Sequence, residues 1–182
     1  ILRAKYRAGH VALTPHGAFE VPGPPQAPPD RATVMTFGKF GTYKKVEGLI
    51  EAVRRLGRRD LRVVVAGTDS PNTPGYLAGV AERLGGPDVH FTGYVAEEDV
   101  EAIFRDATVT VFPYTATTGS SGVLHQAGSY GCAPILPRIG DLEGLIQAEG
   151  FTGVFFEPDS VDDLARAIAS LLDDEPERAR IA

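Results

Sequence analysis

An alternation of two segment types constrains this sequence most. From Arg31 onward, short apolar runs rich in β-branched and aromatic residues trade places with longer stretches whose apolar residues recur at helical spacing. TVMTFGK, LRVVVAG, VHFTG, TVTVFPY, APILPR and GVFFEP are the β-type runs, mostly bounded by Gly, Pro or Asp. Behind the first of them, Val46, Leu49, Ile50, Val53 and Leu56 share one helical face. The final segment repeats the pattern with Val161, Leu164, Ala165, Ile168 and Leu171 after the capping residue Ser160. Strands that alternate strictly with helices pair in parallel, with helices covering both faces of the sheet. The expected fold is therefore α/β: a doubly wound, Rossmann-like parallel sheet of about six strands. Arg54, Arg55, Arg58 and Arg59 crowd the end of the first helix, where the helix dipole favours cations, and read as capping and solvated surface.

The first thirty residues break the pattern. VALTPHGAF reads as a short strand ending at Pro15-His16-Gly17, and VPGPPQAPPD then places five prolines in eight positions. Proline fixes φ and removes an amide donor, so this stretch is expected to be an extended linker. Residues 1–30 are thus assigned as an inter-domain segment and 31–182 as the folded domain. With Ile1 in place of an initiator Met, the chain is expected to be a piece of a longer protein.

Composition narrows the partners. Eighteen Lys+Arg against 24 Asp+Glu give a net charge of -6. Binding a nucleic-acid backbone needs a dense basic face, so no nucleic-acid partner is expected, although a local basic patch around a phosphate is allowed. The single cysteine, Cys132, has no intrachain disulfide partner, which suits a reducing, cytoplasmic setting. No apolar run approaches the ~20 residues of a membrane span, and no signal peptide is expected.

In open parallel sheets, ligands bind outside the carboxyl ends of the strands, where the strand order reverses. Four loops that follow strands are informative. The first, Gly38-Lys39-Phe40-Gly41-Thr42-Tyr43-Lys44-Lys45, carries two glycines and lysines ahead of a helix. The dipole disfavours cations there unless they face an anion, so Lys39 and Lys44 are either solvated surface lysines or a clamp on a phosphate or diphosphate. The loop lacks the Gly-Lys-Ser/Thr ending of a P-loop. The second runs from Pro113 through Thr118, Gly119, Ser120 and Ser121 to Gly122 and Val123. Its small, hydroxyl-rich residues offer free backbone amides at a helix start, or simply a Ser120 or Ser121 cap. Gln126 lies four residues past Gly122 on the same face, where its amide can meet a sugar hydroxyl. In the third, Gly93-Tyr94-Val95, the strand end either frames a flat base or leaves Tyr94 as an edge aromatic. In the fourth, Arg138 to Glu143, Asp141 is a candidate cap and Arg138 is either a ligand contact or an ion-pair partner.

Other candidates carry less. His10, His16, His90 and His125 show no spacing that would make a metal set with Cys132, and no metal site is expected. His125, beside Gln126, reads as structural, and Cys132 as a small core residue. Asp162-Asp163 and Asp173-Asp174 bracket the last helix, and neither pair makes an Asp-x-Asp site. No nucleophile elbow or Ser/His/Asp arrangement is present.

The order of these loops resembles the nucleotide-sugar-binding C-terminal domain of GT-B glycosyltransferases, from about Val34 to Leu172. The likeness is to the retaining group that includes glycogen synthase and bacterial mannosyl- and glucosyltransferases. FGKFGTYKKVEGLIEAV is similar to that family's Gly-Arg, Lys-Gly and Leu-Ile-x-Ala segment. VHFTGYVAEEDVEAIFRDATVTVFPY resembles its strand, Gly, acidic-helix and Pro-Ser stretch. QAGSYGCAPILPRIGDLEGLI is similar to its Glu-Ala-x-Ala-x-Gly-x-Pro-Val segment with the downstream Gly-x-x-Glu, and PHGAF to the segment joining the two lobes.

The resemblance implies one lobe of a GT-B fold that binds a nucleoside-diphosphate sugar and transfers the sugar with retention of configuration. It implies no cofactor, and an N-terminal acceptor domain outside this chain. Lys39, in place of the family's arginine, and Lys44 would neutralise the diphosphate. The amides of Gly119 to Val123 would hold its distal phosphate and the sugar. Thr118 and Gln126 stand where the family has two glutamates, so two carboxylates are missing. Three readings follow: an active donor lobe; a non-catalytic homologue that binds nucleotide or sugar phosphate as a partner subunit; and a GT-B-like epimerase, which would need acid/base groups from the other lobe.

Overall fold

A computed structural model describes Lys5, His10, residues 31–116 and residues 121–182. The segment assigned as linker, apart from Lys5 and His10, and the loop residues Thr118, Gly119 and Ser120 lie outside the described residues.

All six expected strands form. They are β1 (Ala32–Phe40), β2 (Leu61–Asp69), β3 (Val89–Gly93), β4 (Val109–Val111), β5 (Ala133–Pro137) and β6 (Val154–Phe156). They build one sheet in the order β3-β2-β1-β4-β5-β6, and every pairing is parallel. The helices are α1 (Val46–Arg55), α2 (Tyr76–Leu84), α3 (Glu97–Arg105), α4 (Gly122–Ser129), α5 (Leu142–Ala148), α6 (Val161–Asp173) and α7 (Glu175–Ile181).

The central strands are largely apolar because both faces are buried, whereas the edge strand β3 has no buried residue. Val34, Val63, Val65, Val109 and Ile135 face α1 and α6, packing on Leu49, Ile50, Ile168 and Leu171. Met35, Val64, Ala66 and Leu136 take the opposite face, against Phe104 of α3, Leu124 of α4 and Ile146 of α5. Adjacent residues of one strand thus feed two separate cores, which is what a doubly wound sheet requires.

Capping agrees with the sequence at the last helix. Ser160 Oγ accepts the Asp163 amide at 3.2 Å, and Asp174 accepts the Glu177 amide at 2.9 Å to start α7. Asp141 and Ser121 occupy N-cap positions but make no side-chain cap bond. The arginine cluster is solvated and ion-paired: Arg54 bonds Asp88 through two nitrogens, Arg55 bonds Asp162, and Arg58 bonds Asp60 and Asp173.

One boundary differs from expectation. The first loop does not leave the sheet at Gly38, since β1 continues to Phe40 in register with Asp69 of β2. A 3-10 turn over Thr42–Lys44 then precedes α1. Lys45, with φ 35, adopts the left-handed conformation that swings the chain into the helix.

Candidate functional site

The chain runs outward from β1 to β3 and then crosses back to place β4 on the other side of β1. The strand order therefore reverses between β1 and β4, and that crevice is where a doubly wound sheet accepts ligands. The loop after β1 and the loop after β4 form its two lips. They are tied together: Thr115 donates to the Tyr43 carbonyl through its amide at 2.9 Å and through Oγ1 at 3.3 Å.

Lys44 sits between the lips. Only 6% of it is exposed. Its ammonium lies 4.7 Å from the Tyr114 ring centroid and 5.3 Å from that of Phe40, within range of cation–π attraction. Among the described residues, no carboxylate forms an ion pair with it. Burial pushes its pKa down from 10.5 to about 8, because aromatic walls replace the water that would solvate the charge. A buried cation without a counter-ion is a site prepared for an anion. The surface-lysine reading thus fails for Lys44. Lys39 is exposed and lies outside the cage.

Gly38 completes the approach. A Cβ there would lie 3.1 Å from Lys44 Nζ and 3.6 Å from Val123 Cγ2, and its φ of +124 suits only glycine. Gly38, Lys44 and Val123, from separate segments of sequence, therefore converge. Helix α4 begins at Gly122, so the amides of Gly122 and Val123 precede its first intrahelical bonds and carry the positive end of the dipole. Gln126 is half-buried one turn along α4.

Several contributors escape a reading of the sequence. Phe40 and Tyr114, the walls around Lys44, look like ordinary strand-end aromatics. Gly67 pairs with Gly38 across β1 and β2, and a Cβ on it would sit 1.9 Å from the Gly38 carbonyl oxygen. Tyr76 of α2 steadies the turn from outside: its hydroxyl accepts the Val46 amide at 3.0 Å and donates to Glu47. A Tyr in the helical segment after β2 carries no mark of that task.

The remaining candidates fall away from the cage. Tyr94 is 79% exposed at the end of β3, and Val95 beside it packs on the second core. Arg138 proves to be an ion-pair partner, 2.6 Å from Glu143 and 3.4 Å from Glu157. His125 is buried against Phe151 with Glu149 3.6 Å away. Cys132 is buried, in contact with Thr110 Oγ1 at 3.0 Å. Among the described residues no group of three metal-ligating side chains forms, and no helix is long and apolar enough to cross a membrane. A cleft of about 180 Å³ opens between α1 and α6, with Phe156 and Leu164 in its wall. Its rim carries Glu47, Glu51 and Asp159 against Lys45 alone, a balance that repels a diphosphate.

The chain is similar to known proteins in sequence and in fold. Residues 31–174 match the family model described as Glycosyl transferases group 1. A D-inositol 3-phosphate glycosyltransferase from Corynebacterium glutamicum is 33% identical over 162 residues, covering 84% of this chain and 38% of that protein. The chain therefore spans under two-fifths of that relative's length. Among solved structures, Anabaena HepE in complex with UDP superposes with a TM-score of 0.70 at 19% identity, covering 84% of this chain and 42% of that one. The C-terminal domain of the group 1 protein LpcC from Francisella tularensis gives 0.67 at 20% identity, covering 85% of this chain and 82% of that domain.

Proposed function

This chain belongs to the Glycosyl transferases group 1 family, and from that premise we propose that it is the donor-binding part of an enzyme that transfers a sugar from a nucleoside-diphosphate sugar, with retention of configuration. The observation that carries the reading is the buried ammonium of Lys44, without a carboxylate partner among the described residues, facing the amide end of α4 across Gly38.

In such a transfer the difficult event is departure of the diphosphate, as negative charge grows on its oxygens. Lys44 and the amides of Gly122 and Val123 are fixed before the reaction begins, so they stabilise that charge without reorganising. Removing one such donor typically costs about 10²–10³ in rate. The aromatic walls exclude water and so strengthen the attraction. Lys39, on the exposed rim, supplies longer-range neutralisation. Gln126 holds a hydroxyl of the ribose, and Tyr94 with Val95 lies at the base end. For Thr118, Gly119 and Ser120, outside the described residues, the roles remain those the resemblance implies: the amides of Gly119 and Ser120 for the distal phosphate and sugar, and Thr118 for the sugar. HepE, whose structures hold UDP and UDP-glucose, makes uridine the first base to try. The acceptor belongs to a second lobe outside this chain.

A second reading has its own support. Thr118 and Gln126 replace two carboxylates, and a neutral amide lacks the charge assistance that roughly doubles a hydrogen bond. A homologue that binds nucleotide without turnover, as a partner subunit, fits that loss.

Calorimetric titration with UDP, GDP, ADP and inorganic phosphate, using Lys39→Ala and Lys44→Ala as controls, tests the donor reading. One diphosphate is expected to bind in the micromolar range, ~-8 kcal/mol, with Lys44→Ala abolishing the heat and Lys39→Ala weakening it. Binding no tighter than phosphate, unchanged in Lys44→Ala, refutes it. Turnover by the full-length enzyme, lost in Lys44→Ala, then separates the active reading from the non-catalytic one.

A further inference from the structure

We infer that Tyr43 is the aromatic platform for the transferred sugar. The inference rests on the donor-lobe reading and adds one residue to the sugar end of that site.

Two large hydrophobic side chains among the described residues stand exposed, Tyr43 at 43% and Tyr94 at 79%. Both lie just past strand ends at the ligand-binding edge. Tyr94 follows β3, and Tyr43 is clamped through its carbonyl to Thr115, beyond β4. Strands β3 and β4 are three positions apart in the sheet order, or about 14 Å at the usual spacing. Strand β1, which carries Gly38, lies between them in the sheet. A diphosphate held at Lys44 and the α4 amides therefore has one exposed aromatic on each side, and its two substituents, base and sugar, each meet one.

The fixation of Tyr43 tells which end it serves. It is the middle residue of the 3-10 turn that delivers Lys44. Its ring meets Tyr114 edge-on, with centroids 6.1 Å apart and planes at 64°, and Tyr114 in turn carries Lys44. Ring and cation are thus set against the same Tyr114 on the β4 lip, beside the start of α4, where the distal phosphate and its sugar are expected. The face of an aromatic ring is negative, so it attracts the polarised C–H groups on the apolar face of a pyranose. The phenol adds a hydroxyl at the rim.

The test compares UDP with UDP-glucose, and GDP with GDP-mannose, by calorimetry on the wild-type chain, Tyr43→Ala, Tyr43→Phe and Tyr94→Ala. Wild type is expected to bind the nucleotide sugar more tightly than the matching diphosphate. Tyr43→Ala removes that increment, roughly three- to tenfold, as expected for loss of one aromatic contact. It leaves the diphosphate within about twofold, and Tyr43→Phe retains most of the increment. Tyr94→Ala weakens diphosphate and nucleotide sugar equally. Equal losses of both ligands in Tyr43→Ala, or no sugar increment in wild type, overturn the assignment while the donor reading stands. Failure of wild type to bind any of the diphosphates overturns the donor reading, and the assignment with it.

Discussion

Lys44 allows the site to be tested without any substrate turnover, through protons. Burial lowers its pKa from 10.5 to about 8. At about 1.36 kcal/mol per unit, holding the charged ammonium between its aromatic walls costs the native state roughly 3 kcal/mol at neutral pH. The sign follows from proton counts. Between about pH 8 and 10.5 the native protein binds fewer protons than the unfolded chain, so stability rises with pH across that window. Below pH 8 the penalty is present in full. Lys44→Met is accordingly expected to stabilise the ligand-free chain at pH 7, by roughly 1–3 kcal/mol, while destroying diphosphate binding. Bound diphosphate restores the charged form. Above pH 8, binding must therefore take up a proton, and UDP affinity should fall about tenfold from pH 7 to pH 9. Calorimetry at pH 9 in two buffers of different ionisation heat measures that uptake directly; close to one proton is expected, against nearly none at pH 7. An affinity flat from pH 7 to 9, with no proton uptake and no stabilisation by Lys44→Met, would refute a caged, uncompensated cation.

Other substitutions test separate parts of the account. Gly38→Ala puts a Cβ 3.1 Å from Lys44 Nζ at a φ of +124, so a stability loss of about 1–3 kcal/mol with weakened UDP binding is expected from denaturant melts and titration. Gly67→Ala is expected to be worse, because its Cβ would lie 1.9 Å from the Gly38 carbonyl oxygen; little folded protein on expression is the outcome to look for. Ser160→Ala removes the cap bond to Asp163 and should lower stability by about 1 kcal/mol without changing nucleotide affinity. Burial pushes the Cys132 thiol up to about 12, so iodoacetamide should label it only as fast as the chain unfolds.

The fold was legible because its two cores write themselves into the strands. Runs such as Val63-Val64-Val65-Ala66 are apolar on both faces, and helical spacing between runs leaves parallel pairing as the outcome. The ends of strands were less legible. Gly38 looks like a stop, but its positive φ is accommodated against Gly67 and β1 runs on to Phe40. The site was legible as residue types and not as burial. Nothing in Lys39, Lys44 and Lys45 says which one turns inward. That choice comes from the 3-10 turn, the left-handed Lys45 and the placement of Tyr114, a residue seventy positions away. Likewise, the sequence offers Ser121 as a helix cap, whereas it holds the N-cap position of α4 without a side-chain cap bond.

The central claim is that the crevice between β1 and β4 holds the diphosphate. A crystal structure of this chain with UDP tests it most directly. The predicted result has phosphate oxygens within hydrogen-bond reach of Lys44 Nζ and of the Gly122 and Val123 amides, with the base toward Tyr94. UDP seated in the cleft between α1 and α6, or bound anywhere that leaves Lys44 against Tyr114 without an anion, would contradict it.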